Sequence, residues 1–96
     1  MAPSLSLEGH VTALYGDFRT PKTRQAVVAI RFYLIGHAPS GDQILLNRAY
    51  EQTTALEAVG AESLVAAYDA CLERILTHLE GDLRTIVNSS QPGDGQ

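Results

Sequence analysis

From Leu5 onward the chain alternates. Leu5, Leu7, Gly9, Val11, Ala13 and Tyr15 fall on one side of a two-residue repeat, and Ser4, Ser6, Glu8, His10, Thr12 and Leu14 fall on the other. Side chains of an extended chain point alternately to opposite faces, so this pattern predicts a strand near 4–15 with one apolar face. "GDFRTPKT" follows, and its Gly, Asp, Pro and Thr read as a loop. "RQAVVAIRFYLIG" is the strongest strand signal. Ala26, Val28, Ile30, Phe32 and Leu34 share one face, with Val27, Ala29, Arg31, Tyr33 and Ile35 on the other. That second face is only partly polar, so both faces of a strand near 25–35 are expected to be covered at least in part. "HAPSGD" is a tight-turn signal. A third strand follows near 43–54, with Ile44, Leu46 and Tyr50 assigned to the core and Leu45, Asn47, Ala49 and Glu51 to the other side. Short links between consecutive strands favour an antiparallel meander.

The period then changes. Leu64, Tyr68, Leu72, Ile75, Leu79, Leu83 and Ile86 recur at three- and four-residue steps, which puts them on one stripe of a helix. Glu62, Asp69, Glu73, Glu80 and Arg84 fall mainly away from that stripe. Gly60 marks the start and Asn88 the end of a helix near 61–87, about 40 Å long and expected to overhang a sheet of ordinary strands. The fold class is therefore α+β: a three-stranded antiparallel sheet followed by one long C-terminal helix packed on it. Residues 1–87 form the single domain and 88–96 a disordered tail. Leu5, Val11, Val28, Ile30, Phe32, Leu72, Ile75 and Leu79 are the expected core.

Composition narrows the possible functions. The chain has 96 residues, enough for one small domain, and a net charge of −4 that disfavours phosphate backbones, so no nucleic acid partner is expected. Its one cysteine, Cys71, lies among helical alanines and reads as a buried, inert thiol. His10, His37 and His78 are too far apart for a local metal motif. Neither a catalytic set, a metal site nor a cofactor is assigned. The nearest approach to catalysis is an acid–base pair of His10 or His37 with Asp17, with no nucleophile near them in sequence. Arg19, Lys22 and Arg24 form a basic cluster, read as a solvated loop with contact to an acidic partner or lipid headgroups as the sharper alternative.

The order of these parts carries a resemblance. "LEGHVTALYGDFRTPKTRQAVVAIRFYLIG", "QILLNRAYEQTTAL" and "SLVAAYDACLERILTHLEGDL" together are similar to the C-terminal half of the ABC-type transport auxiliary lipoproteins, the paraquat-inducible protein C type, over Leu5 to Leu83. The helix of that family often ends in Trp-Leu, where this chain has Asp82-Leu83. The resemblance implies a non-enzymatic auxiliary component of a lipid transport system of the bacterial envelope. It implies a periplasmic location, with an outer-membrane anchor in the full-length lipoprotein that is not present in this chain. Its partners would be a substrate-binding protein of the mammalian-cell-entry type and ABC transporter components, with lipid as a further ligand. Two alternatives stand beside it: a self-contained cytoplasmic binding module, and a small enzyme using His10, His37 and Asp17. A sheet with one helix also leaves a face open, and Val27, Ala29, Tyr33 and Ile35 are expected there as an apolar patch that a second copy covers as a homodimer.

Overall fold

The structure is a computed structural model that describes residues 4–19, 22 and 24–89. Its elements are β1 (Ser4–Asp17), β2 (Gln25–Ala38), β3 (Gly41–Ala55) and α1 (Ala61–Ser89). The strands form one antiparallel sheet in the order β1-β2-β3. This is the α+β meander with a closing helix that the periodicity predicts. Each strand runs longer than expected, so the sheet is about 47 Å long and the helix of about 43 Å does not outreach it. Ala38 pairs with Gly41 across a turn of Pro39 and Ser40, and Gly41 has a φ of +131°, which suits a residue without a side chain. Asn88 and Ser89, expected at the start of the tail, continue the helix, and 90–96 lie outside the described residues.

Two bulges decide which side chains share a face. The β1–β2 register shifts between Val11 and Ala13, so Thr12 is the extra residue and its hydroxyl donates to the Ala29 carbonyl at 3.2 Å. Leu5, Leu7, Gly9 and Val11 stay on the face of Phe32 and Ile30. Beyond the bulge Ala13 and Tyr15 turn to the opposite face, and Leu14 and Gly16 take their place. The second shift falls between Leu34 and Ile35, where Leu34 pairs with Leu46 and Ile35 with Ile44. Leu45 is the extra residue, and Ile44 is thereby turned away from the core and left 60% exposed. The expected parity of Tyr50 and Leu46 is correct, and those of Ile44 and Leu45 are overturned by this bulge, Leu45 packing against the core instead.

The core lies between α1 and the sheet. Val28, Ile30, Phe32 and Leu34 of β2, Leu46 and Tyr50 of β3, and Cys71, Ile75 and Leu79 of α1 form one buried cluster. Phe32 and Tyr50 meet edge to face at 6.0 Å. A smaller cluster of Ala26, Leu56 and Ala67 closes the end where the helix begins, after Gly60, whose carbonyl accepts from the Leu64 amide at 3.1 Å. Three expected core members differ. Leu5 and Val11 are exposed at 58% and 61%, and Leu72 is half-buried. The cause is where the helix lies. Its first turns sit beside β1 and β2, where a Cβ on Gly16 would come within 3.0 Å of the Leu64 side chain. Its later turns are bonded to β3, with Asp82 accepting from Arg48 and Tyr50. The helix thus crosses the sheet obliquely and leaves most of β1 uncovered.

The face away from the helix also differs from expectation. Val27 and Ala29, expected as exposed apolar patch, are buried, and Tyr33 and Ile35 are half-buried. They belong to the central strand, where Tyr15 and Thr53 flank Val27, and Ala13 and Glu51 flank Ala29. The rest of that face carries the polar Glu8, His10, Arg31 and Asn47, the last two joined at 2.6 Å, together with Tyr15 and Ile44, 50% and 60% exposed.

Candidate functional site

The most conspicuous surface is an apolar trough on the helix side of the sheet. Its floor is Leu5, Leu7, Val11 and Leu14 of β1, between 46% and 61% exposed. Its wall is the flank of α1 that does not face β3. Cys71, Arg74 and Asp82 bond β3, so Leu72, Leu76 and Leu83, which lie round the helix from them, look over β1. Leu76 is 53% exposed, and with Leu79 and Leu83 it lines a shallow groove of about 330 Å³ on the helix itself, rimmed by Glu80 and Arg84 and without a β1 residue in its lining. An apolar cleft with a charged rim suits an aliphatic chain or an apolar peptide side, because burial there removes hydrocarbon surface from water.

A set of polar contacts fixes the other flank of the helix. The Asp82 carboxylate accepts from the Tyr50 hydroxyl at 2.6 Å and from the Arg48 guanidinium at 2.9 Å. The Tyr50 hydrogen bond, followed by the Arg48 contact, outweighs desolvation and holds the Asp82 carboxyl below its usual range. Burial, then the same hydrogen bond, pushes the Tyr50 phenol up to about 12. Arg74 donates to the Thr53 carbonyl and the Thr54 hydroxyl, both at 3.0 Å, and the Cys71 sulfur lies 3.2 Å from the Thr54 hydroxyl. Tyr50 is the core anchor that the pattern predicts, and Arg48, two residues before it on the same side of the strand, is bonded to the helix. Cys71 is fully buried, as expected.

The sequence-derived acid–base residues separate. Asp17 is clasped by Arg19 at 2.8 and 3.0 Å, whose hydrogen bonds lower its pKa, and it pairs in register with Gln25. His37 pairs with Ser4 at the other end of β1, about 40 Å away. His10 packs edge-on against Tyr33 at 5.7 Å and lies 3.7 Å from Glu8. Neither histidine meets Asp17. His37 instead joins two residues that sequence spacing did not connect: its Nε2 is hydrogen-bonded to the Ser6 hydroxyl, and its Nδ1 lies 2.9 Å from the Asp42 carboxylate. Hydroxyl, imidazole and carboxylate stand in the order of nucleophile, base and orienting acid. Asp42 was legible, because a two-residue turn at Pro39 and Ser40 sets it opposite His37. Ser6 required the β1–β2 register.

The chain matches no family model, no curated protein and no solved structure. Among the described residues no three His, Cys, Asp or Glu side chains are grouped to hold a metal ion, and no helix is long and apolar enough to cross a membrane.

Proposed function

We propose that this chain is a non-enzymatic auxiliary domain of an ABC-type lipid transport system of the bacterial envelope. In the full-length lipoprotein it would be periplasmic and anchored to the outer membrane. The trough between β1 and α1 is its binding surface. The observation that carries the reading is the row Leu5, Leu7, Val11 and Leu14, four aliphatic side chains held in the open on the strand that the helix leaves uncovered. Contiguous exposed apolar surface of this kind marks contact with a partner or with lipid. The element order resembling the transport auxiliary lipoproteins supports the same reading. The partners are then a substrate-binding protein of the mammalian-cell-entry type and ABC transporter components.

Affinity capture from envelope extracts tests the assignment. The expected result is recovery of a mammalian-cell-entry protein, lost when Leu7 and Val11 are both replaced by Gln. Recovery of soluble cytosolic proteins alone would overturn it in favour of a cytoplasmic binding module.

A second reading rests on Ser6, His37 and Asp42, which give the enzyme alternative a geometry that His10 and Asp17 do not. In it the Ser6 hydroxyl adds to the carbonyl of an activated ester as His37 takes its proton, the ester C–O bond breaks to release the alcohol or phenolate, and water then hydrolyses the acyl-serine. It stands second because the relay sits on an open strand face, with the His37 and Asp42 side chains 38% and 66% exposed, where water weakens such contacts. Hydrolysis of p-nitrophenyl acetate that disappears in Ser6→Ala would favour it; equal rates for the two proteins would dismiss it.

A further inference from the structure

We propose that the free edge of β1 pairs antiparallel with β1 of a second copy about a two-fold axis at Gly9, giving a continuous six-stranded sheet. The inference rests on the strand edges and the register, not on the transport reading.

The two edges of the sheet differ. At the end of β3 the helix leans over the edge: Arg74 bonds the Thr53 carbonyl and the Thr54 hydroxyl, both at 3.0 Å. Main-chain groups covered in this way are poor templates for another strand. At β1 the run Ser4–Val11 is regular up to the bulge at Thr12, and among the described residues no strand lies beyond it. Its outer row of main-chain donors and acceptors is available for pairing.

Self-pairing of this run has few solutions, because opposed residues must share a face. An axis at Glu8 sets two carboxylates opposite each other. An axis at Leu7 sets Leu5 opposite Gly9, which has no side chain to cover it. An axis at Gly9 sets Leu7 opposite Val11 of the second copy on the helix side, twice, and Glu8 opposite His10 of the second copy on the other face, twice. The apolar pairs and the carboxylate–imidazole pairs are each repeated by the symmetry, as an isologous interface requires. Gly9 leaves the axis clear, and the Phe32 ring occupies the space beside it, 2.9 Å from where a Cβ would stand. The two copies of α1 would lie on the same face, about 19 Å apart. Packed helices lie about 8–10 Å apart, so the trough would stay open as a doubled channel floored by both β1 strands.

Register-specific crosslinking of the purified chain tests this. Leu7 and Val11 of one strand are about 13 Å apart, too far for a disulfide within one copy, and Cys71 is fully buried. Mild oxidation of the Leu7→Cys/Val11→Cys chain is expected to yield a covalent dimer, while each single variant stays monomeric on a non-reducing gel. The unmodified chain is expected to sediment at twice 10.3 kDa. Glu8→Lys should weaken the dimer several-fold, and Glu8→His with His10→Glu in one chain should restore it. A monomer at the highest attainable concentration would overturn the proposal, as would crosslinking by Leu7→Cys alone, which reads out the axis at Leu7.

Discussion

β1 and β3 flank the same central strand, and β1 carries the more aliphatic row on the helix side, yet only β3 is covered. Tyr50 and Leu46 of β3 are buried at 7% and 8%, whereas Leu7 and Val11 of β1 are 46% and 61% exposed. The difference lies in polar anchors. β3 offers Arg48, Tyr50, the Thr53 carbonyl and Thr54, and α1 answers with Asp82, Arg74 and Cys71. β1 offers the helix an aliphatic row that includes Gly9 and Gly16. Hydrophobic contact is non-directional and would be satisfied by either strand. The charged and hydrogen-bonded contacts have one geometry, and they set the helix over β3.

The strongest way to break this contrast is to cut the covered side. Ile75 is fully buried between α1 and the sheet. Ile75→Ala should cost about 2–5 kcal/mol, a fall of at least about 8 °C in Tm for a domain of this size. Val11→Ala, which removes hydrocarbon from an exposed site, should change stability by about 0.5 kcal/mol or less. Thermal unfolding of the two variants side by side checks this; equal shifts would mean that β1 is covered in solution.

Much of the fold was legible in the sequence, for identifiable reasons. The alternation of Ala26 to Leu34 and the helical stripe of Ile75 and Leu79 each have a single period, and both ended in the core. Leu5 and Val11 were misplaced because periodicity gives the face a side chain points to, not whether another element lies above it. The bulges at Thr12 and Leu45 carry no residue that marks a shift in register, so Ala13, Tyr15 and Ile44 were assigned by a repeat that the backbone interrupts. An exposed apolar patch was expected at Val27, Ala29, Tyr33 and Ile35, and the first two are buried. Val27 and Ala29 are small and flanked by neighbours, while the larger Leu7 and Val11 lie where the oblique helix does not reach. The Ser6–His37–Asp42 relay was missed because its members come from three strands.

The anchor itself gives the next effect, read through pH. The Tyr50 phenol is raised from 10.0 to about 12. Between those values the unfolded chain loses this proton and the folded chain keeps it, so stability should fall as pH rises across that window. Asp82 behaves in the opposite sense. Its carboxyl is held below the usual value of 3.8, so its contribution is complete above 3.8 and is lost as pH falls through its folded value. Tyr50→Phe should remove the phenol's share of the alkaline loss, and Asp82→Asn should reduce the acid loss. Both should shift Tm by less than Ile75→Ala. Unchanged profiles for both variants would mean that the Tyr50–Asp82 bond does not hold the helix on β3.

The smallest expected effect is at the bare strand. Leu14 belongs to the helix face, opposite Val28, and is 54% exposed. Leu14→Gln keeps the length of the side chain and exchanges an aliphatic surface for a polar one that water solvates. In the isolated fold little is lost, because the leucine was already wet, and the change in stability should stay within about 0.5 kcal/mol. Binding should respond differently. An environment-sensitive apolar dye that brightens in the trough should be bound more weakly by Leu14→Gln, and weaker still when Leu7→Gln is added, while Ala55→Gln on the outer part of β3 leaves it unchanged. If the dye binds all of these proteins equally, the apolar row of β1 is not the binding surface. If Leu14→Gln unfolds the chain, the contrast between a covered β3 and an open β1 does not hold.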